Sequence, residues 1–254
     1  MSFSKALAYS LLFAIALVGL SLVATFFLQA LGVPAAVGRP ASGFVAAVGA
    51  LALAAALEMH LSKATFRGAL SLLGFKAIGP QQLLPVLDGL APLAIAYVVI
   101  FFVLAKPATL EPGIGFLILK FFFSQGLVEE AVFRGFIYRH LRVGRSYLRA
   151  AALSGLLFGV IHLANFTNGF SVPLLIGVSV SVVYGFILTF PLAGLFEISA
   201  GSILAASLWH LAIDSINWFH DASEGSAMNV YLVAVLVSAA LVQYAVTRRR
   251  SAGK

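Results

Sequence analysis

Residues 6–32 read ALAYSLLFAIALVGLSLVATFFLQALG, 27 residues without one charge. Wound as an α-helix at about 1.5 Å per residue, this run is longer than a hydrocarbon core of about 30 Å. A signal-peptide apolar region is only about 7–15 residues long. The stretch therefore reads as a retained membrane helix, preceded by Lys5.

Working outward, the same pattern recurs at 42–60, 89–105, 113–137, 148–164, 172–195, 199–218 and 227–247. Pro and Gly punctuate the runs at Gly32–Pro34, Gly79–Pro80, Pro107–Gly113 and Pro191–Gly194. The 254-residue chain is 61% hydrophobic and 10% charged, with mean hydropathy +1.05. Soluble domains are about 45–50% apolar and about 25% charged, so a cytosolic globule, a disordered chain and a fibrous repeat are all excluded. Period-two alternation is absent, which argues against a membrane barrel. The expected fold is all-α: a polytopic membrane protein of about eight transmembrane helices, forming one integral-membrane domain over 1–254.

Eight spans place both termini on one side, and the basic residues say which. Lys5, the 61–88 loop (Lys63, Arg67, Lys76), the 138–149 loop (Arg139, Arg142, Arg145, Arg149) and the tail (Arg248, Arg249, Arg250, Lys254) hold twelve Lys and Arg. The opposite loops hold two, Arg39 and Lys106. The positive-inside rule then makes both termini cytoplasmic, and it explains the net charge of +7 without nucleic acid. An odd span count would destroy the asymmetry. Within 61–88, the segments Ala69–Phe75 and Leu83–Leu87 read as interfacial amphipathic structure.

A charge near the bilayer centre costs at least roughly 2.5–3.5 kcal/mol, so each needs a reason. The string VEEAVFRGF puts Glu129, Glu130 and Arg134 inside the fourth span. At α-helical spacing Glu130 and Arg134 share a face and can pair, while Glu129 points elsewhere. Phe158 and His162 are four apart in the fifth span, with Asn165 one turn beyond. His210 and Asp214 are four apart in the seventh. Counted from the span edges, Glu129, His162 and His210 lie about 15–21 Å deep, near the midplane. Acid and imidazole from three helices at one depth imply a central polar cavity. The bland readings are a packing histidine and a helix-locking ion pair. Glu58 and His60 read as snorkelling residues at the end of the second span, and His140 as one more polar residue among loop arginines.

Absent strings narrow the chemistry. There is no H-E-x-x-H, no G-x-S-x-G, no G-x-G-D and no Walker A. Cysteine is absent, which removes disulfides, thiolate ligands and cysteine nucleophiles.

The strings EEAVFR (129–134), FGVIH (158–162) and HLAID (210–214), in this order and inside spans, resemble the CPBP family of CAAX proteases and bacteriocin-processing enzymes, also called Abi. The resemblance covers a motif-bearing core of about 113–218 and is similar to the type II CAAX prenyl endopeptidase. It implies an eight-helix fold and an intramembrane endopeptidase. Glu129 matches the reactive glutamate, His162 and His210 the two motif histidines, and Asp214 a position often held by Asn. Glu130 and Arg134 match the supporting pair, and Phe158 and Asn165 flank His162.

Glu129 with His162 can take a proton from water, and His210 can hold a developing oxyanion. The same Glu129, His162, His210 and Asp214 could instead bind a divalent metal such as zinc. The cofactor is therefore either none or a metal. The implied partners are a membrane-bound protein or peptide substrate and the lipid bilayer, with no nucleic acid. The style of the chain suggests a bacterial or archaeal inner membrane. A proton- or ion-coupled transporter using the same residues, and a non-catalytic immunity or scaffold protein, are the competing readings.

Overall fold

A computed structural model of the chain describes residues 3–33, 35–104, 106, 109–163, 171–219 and 225–252. Among them no β-strand forms, and an isolated antiparallel bridge joins Leu110 to Phe219. The α-helices are α1 (Phe3–Ala30), α2 (Ala35–Ser62), α3 (Phe66–Leu72), α4 (Pro80–Val98), α5 (Ile114–Phe121), α6 (Arg139–Arg142), α7 (Tyr147–His162), α8 (Val172–Ile198), α9 (Leu204–Ile213) and α10 (Gly225–Ala252). This is an all-α architecture, as the apolar periodicity requires.

Five described helices are long and apolar enough to cross a bilayer: Ser4–Ala30, Ala41–Ser62, Pro80–Val103, Leu174–Ile198 and Gly225–Ser251. The three remaining expected spans look different. α7 has 16 residues and α9 has 10. At about 1.5 Å per residue both fall short of a 30 Å hydrocarbon core.

The stretch expected as a regular span over 113–137 changes its winding. Backbone from Ile114 to Arg142 is helical throughout, but Phe122–Glu129 and Ala131–Tyr138 are π-helices. A π-helix bonds i to i+5, so residues four apart no longer stack as they do in an α-helix. Glu129 and Glu130 sit at the junction of the two π segments.

Two further expectations are corrected. Leu83–Leu87 is not a separate amphipathic segment but part of α4, which starts at Pro80, where a missing N–H costs nothing, and runs through Pro85 and Pro92. The chain does not break at Pro191–Gly194 either. Pro191 lies inside α8, and the turn comes at Ala200 (φ 52°) and Gly201 (φ 76°). Bundled apolar helices tolerate such prolines because neighbouring groups satisfy the freed carbonyls.

The residues group into two units, Met1–Phe75 with Ala131–Ala193 and Lys76–Glu130 with Gly194–Lys254. In the first, α1 packs on α2 and α7, and the π segment Ala131–Tyr138 packs on α7 and α2. Gly135 admits the backbone of Leu73 so closely that any Cβ there would overlap it. Gly185 of α8 serves a similar purpose, since a Cβ would lie 2.8 Å from the Phe158 ring of α7. Without water to drive association, helices in a membrane rely on such close packing.

In the second unit α4 packs on α10 and α9, and α9 packs on the π segment Phe122–Glu129. Polar ties fix α9 in place. Ser207 Oγ donates to the Gly126 carbonyl at 2.7 Å. Trp209 Nε1 donates to Ser238 Oγ at 2.9 Å, and Ser238 donates to the Gly89 carbonyl at 2.6 Å.

Candidate active site

His210 is the centre of the polar group in the second unit. Its Nδ1 lies 2.8 Å from Oε1 of Glu130. Its Nε2 lies 3.7 Å from Oδ2 of Asp214 and 4.0 Å from Oε2 of Glu129. Glu130 is fully buried and His210 nearly so, whereas the side chains of Glu129 and Asp214 keep 29% and 25% exposure. The two exposed carboxylates are thus the ones a substrate or water can reach.

The geometry follows from the local fold. Asp214 is one turn beyond His210 and ends α9, where the chain tightens into the 3₁₀ turn Ser215–Trp218. The Ser207–Gly126 tie holds α9 against the π segment three residues before His210. A carboxylate can only accept, so Nδ1 is the donor to Glu130, which fixes both ring orientation and tautomer.

His162 ends α7 in the first unit. Its Nδ1 lies 3.0 Å from the Phe158 carbonyl, which can only accept. The neutral ring therefore carries its lone pair on Nε2, the form that takes up a proton. Its ring meets Phe158 edge-on at 4.9 Å, and Phe158 meets Phe133 at 4.8 Å. Arg134 is fully buried in the same unit. Its guanidinium lies over the Phe158 ring at 5.4 Å, and Nη2 donates to Thr189 Oγ1 at 3.4 Å. Asn165 lies outside the described residues.

The structure thus brings together Glu129, Glu130, His210 and Asp214, and separately Phe158, His162 and Arg134. The α-helical spacing nominated Arg134 as the neighbour of Glu130. The structure adds a partner for Glu130 that spacing could not name, His210. Among the described residues, no group of three or more His, Asp and Glu side chains is arranged to hold a metal ion.

One polar cluster escaped the sequence reading. Glu58 is fully buried instead of snorkelling. It accepts from Arg139 and from Ser62, and lies 3.0 Å from His140 Nε2. The signal was present: a carboxylate in the apolar run LALAAALEMHLS demands a cation, and 138–149 is rich in them.

Residues 99–216 match the family model of the type II CAAX prenyl endopeptidase Rce1-like proteins. That stretch is similar to the Rce1-like family. The match contains all three motif strings, and it covers the π segments, α7 and α9 that supply the residues above. No curated protein and no solved structure gives a match. The apolar helices mark the chain as an integral membrane protein, and its residues 99–216 resemble a CAAX-protease type.

Proposed function

We propose that this Rce1-like chain is an intramembrane endopeptidase that hydrolyses peptide bonds of membrane-associated proteins or peptides. The observation that carries the reading is the His210 constellation: one imidazole anchored by a buried carboxylate, with two reachable carboxylates beside its other nitrogen.

Amide hydrolysis needs a base for water and a donor for the oxyanion. Glu129 takes a proton from water. The water oxygen bonds to the scissile carbonyl carbon, and the carbonyl oxygen becomes an oxyanion. His210 gives Nδ1–H to Glu130, so it offers Nε2–H to that oxyanion only as imidazolium. Glu130 and Asp214 then supply counter-charge, which gives an ionised Asp214 a role that hydrogen-bond donation would deny it. On collapse the C–N bond breaks, and the proton held by Glu129 passes to the leaving amine.

The same reading carries the finer architecture. Eight spans cross the bilayer, both termini are cytoplasmic, and the chain resides in a bacterial or archaeal inner membrane. Reporter fusions after Lys254 and within 221–226 would then report opposite sides, and a shared side would break the eight-span arrangement.

The activity is tested by comparing membrane-protein termini in cells carrying the wild-type or the Glu129→Ala chain. New termini that depend on Glu129 support the reading. Identical termini in the two would end it.

A further inference from the structure

The carbonyl of Ala212 is one of the four that an α-helix leaves without intrahelical partners at its C-terminal end. Here it receives hydroxyls instead. Tyr231 OH of α10 donates to it at 2.8 Å, and Ser215 Oγ donates to it at 2.6 Å. Ser215 Oγ is also 3.0 Å from Tyr231 OH and 2.6 Å from Tyr97 OH of α4. With one proton per hydroxyl the directions are set: Ser215 and Tyr231 each donate to the Ala212 carbonyl, and Tyr97 donates to Ser215 Oγ. Bonds in such a chain polarise and strengthen one another.

The surrounding rings hold the chain in place. Tyr97 packs on Tyr231 at 5.5 Å, on Phe219 at 5.3 Å and on Phe101 at 5.6 Å. Phe219 is itself pinned by its bridge to Leu110 and by Glu111 N–H donating to the Trp218 carbonyl at 2.8 Å. Asp214 sits between the two fixed points. Its own N–H bonds the His210 carbonyl at 3.1 Å, and its carbonyl accepts from the Asn217 side chain at 3.0 Å. The segment from Ala212 to Phe219 is therefore held by α4 and α10, not by α9 alone.

We infer that Tyr97, Ser215 and Tyr231 are positioning residues that set the carboxylate of Asp214 beside Nε2 of His210. The assignment rests on the reading of Asp214 as part of the cleavage site. It extends that reading to two helices that carry none of the three motif strings.

Two measurements test it on the full chain in detergent. The first is cleavage kinetics of Ser215→Ala and of the double variant Tyr97→Phe/Tyr231→Phe. A displaced carboxylate lowers kcat about tenfold while KM holds, and Ser215→Thr, which keeps a hydroxyl, restores it. The second follows the His210 ring by NMR of histidine-labelled protein through a pH titration, with Asp214→Asn as reference. The positioning variants should move the His210 midpoint in the same direction as Asp214→Asn. An unmoved midpoint, or a loss of thermal stability that tracks the loss of kcat in every variant including Ser215→Thr, would overturn the assignment. If the wild type cleaves nothing, the proposed function falls, and the titration alone decides the positioning role.

Discussion

Oε1 of Glu130 and Nδ1 of His210 are 2.8 Å apart, although 80 residues separate them in the chain. Glu129, the next residue back, approaches the other nitrogen of the same ring at 4.0 Å. Two adjacent carboxylates thus address opposite sides of one imidazole. The buried one orients it, and the other keeps 29% exposure on the ring's far side.

That division predicts different failures. Glu129→Gln should abolish cleavage and leave the folded yield near wild type, because its side chain is 29% exposed and an amide fits the same space. Glu130→Ala leaves the Nδ1 donor of His210 without its acceptor in a buried place, at about 1–3 kcal/mol. Its thermal midpoint and its activity should fall together. Glu130→Gln keeps an acceptor oxygen and should fold, with cleavage reduced. Size-exclusion yield and thermal midpoint beside the cleavage rate distinguish the cases. A Glu129→Gln protein that unfolds as readily as Glu130→Ala would refute the split.

The sequence announced apolar helices and the residues that carry chemistry, but not their partners. Length and hydropathy decide a membrane helix locally, so Ser4–Ala30 and Gly225–Ser251 were legible. The π winding of Phe122–Glu129 was not, because it comes with the close approach of α9 at Gly126, a contact made across 81 residues. The partnership of Glu130 with His210 was hidden for the same reason. Spacing rules see one turn of helix, and they pointed only to Arg134. One proline misled in the opposite direction: Pro191 read as a break, yet it sits inside α8.

Close packing of the π segment Ala131–Tyr138 gives a second prediction. An added Cβ at Gly135 would overlap the backbone of the fully buried Leu73, which cannot swing away as a side chain could. Gly135→Ala should cost roughly 1–3 kcal/mol or more, as overpacking does. Gly177→Ala on α8 is the control. Nothing lies within 4 Å of its added methyl, so it should be neutral or stabilising by about 0.5–1 kcal/mol. Equal thermal midpoints for the two variants would show that the approach of Leu73 is not tight.

Chelation gives a third. The steps proposed above use the side chains of Glu129 and His210 alone. Purified protein treated with a strong chelator should keep its cleavage rate, and added zinc should not raise it. Stoichiometric zinc that is lost together with activity in His210→Ala would assign the imidazole to a metal instead.

The buried Glu58 gives the last. Its carboxylate is held by Arg139, Ser62 and His140, with Arg139 also donating from Nε to the Gly135 carbonyl at 2.9 Å. Arg139 thus joins α2 to the end of the π segment whose Gly135 admits Leu73. Removing one partner of a buried pair leaves the other charge without compensation, typically at 3–5 kcal/mol. The Arg139 side chain is 28% exposed and His140 remains beside Glu58, so Arg139→Ala should cost less, roughly 2–3 kcal/mol. Glu58→Gln keeps the hydrogen-bond geometry but removes the counter-charge, and should cost less again. The double variant Glu58→Gln/Arg139→Ala removes both charges and should recover part of the loss. Thermal midpoints of the four proteins in one detergent form the test. Simple additivity of the two single losses would mean that Glu58 and Arg139 do not couple, and that the cluster does not hold α2 in place.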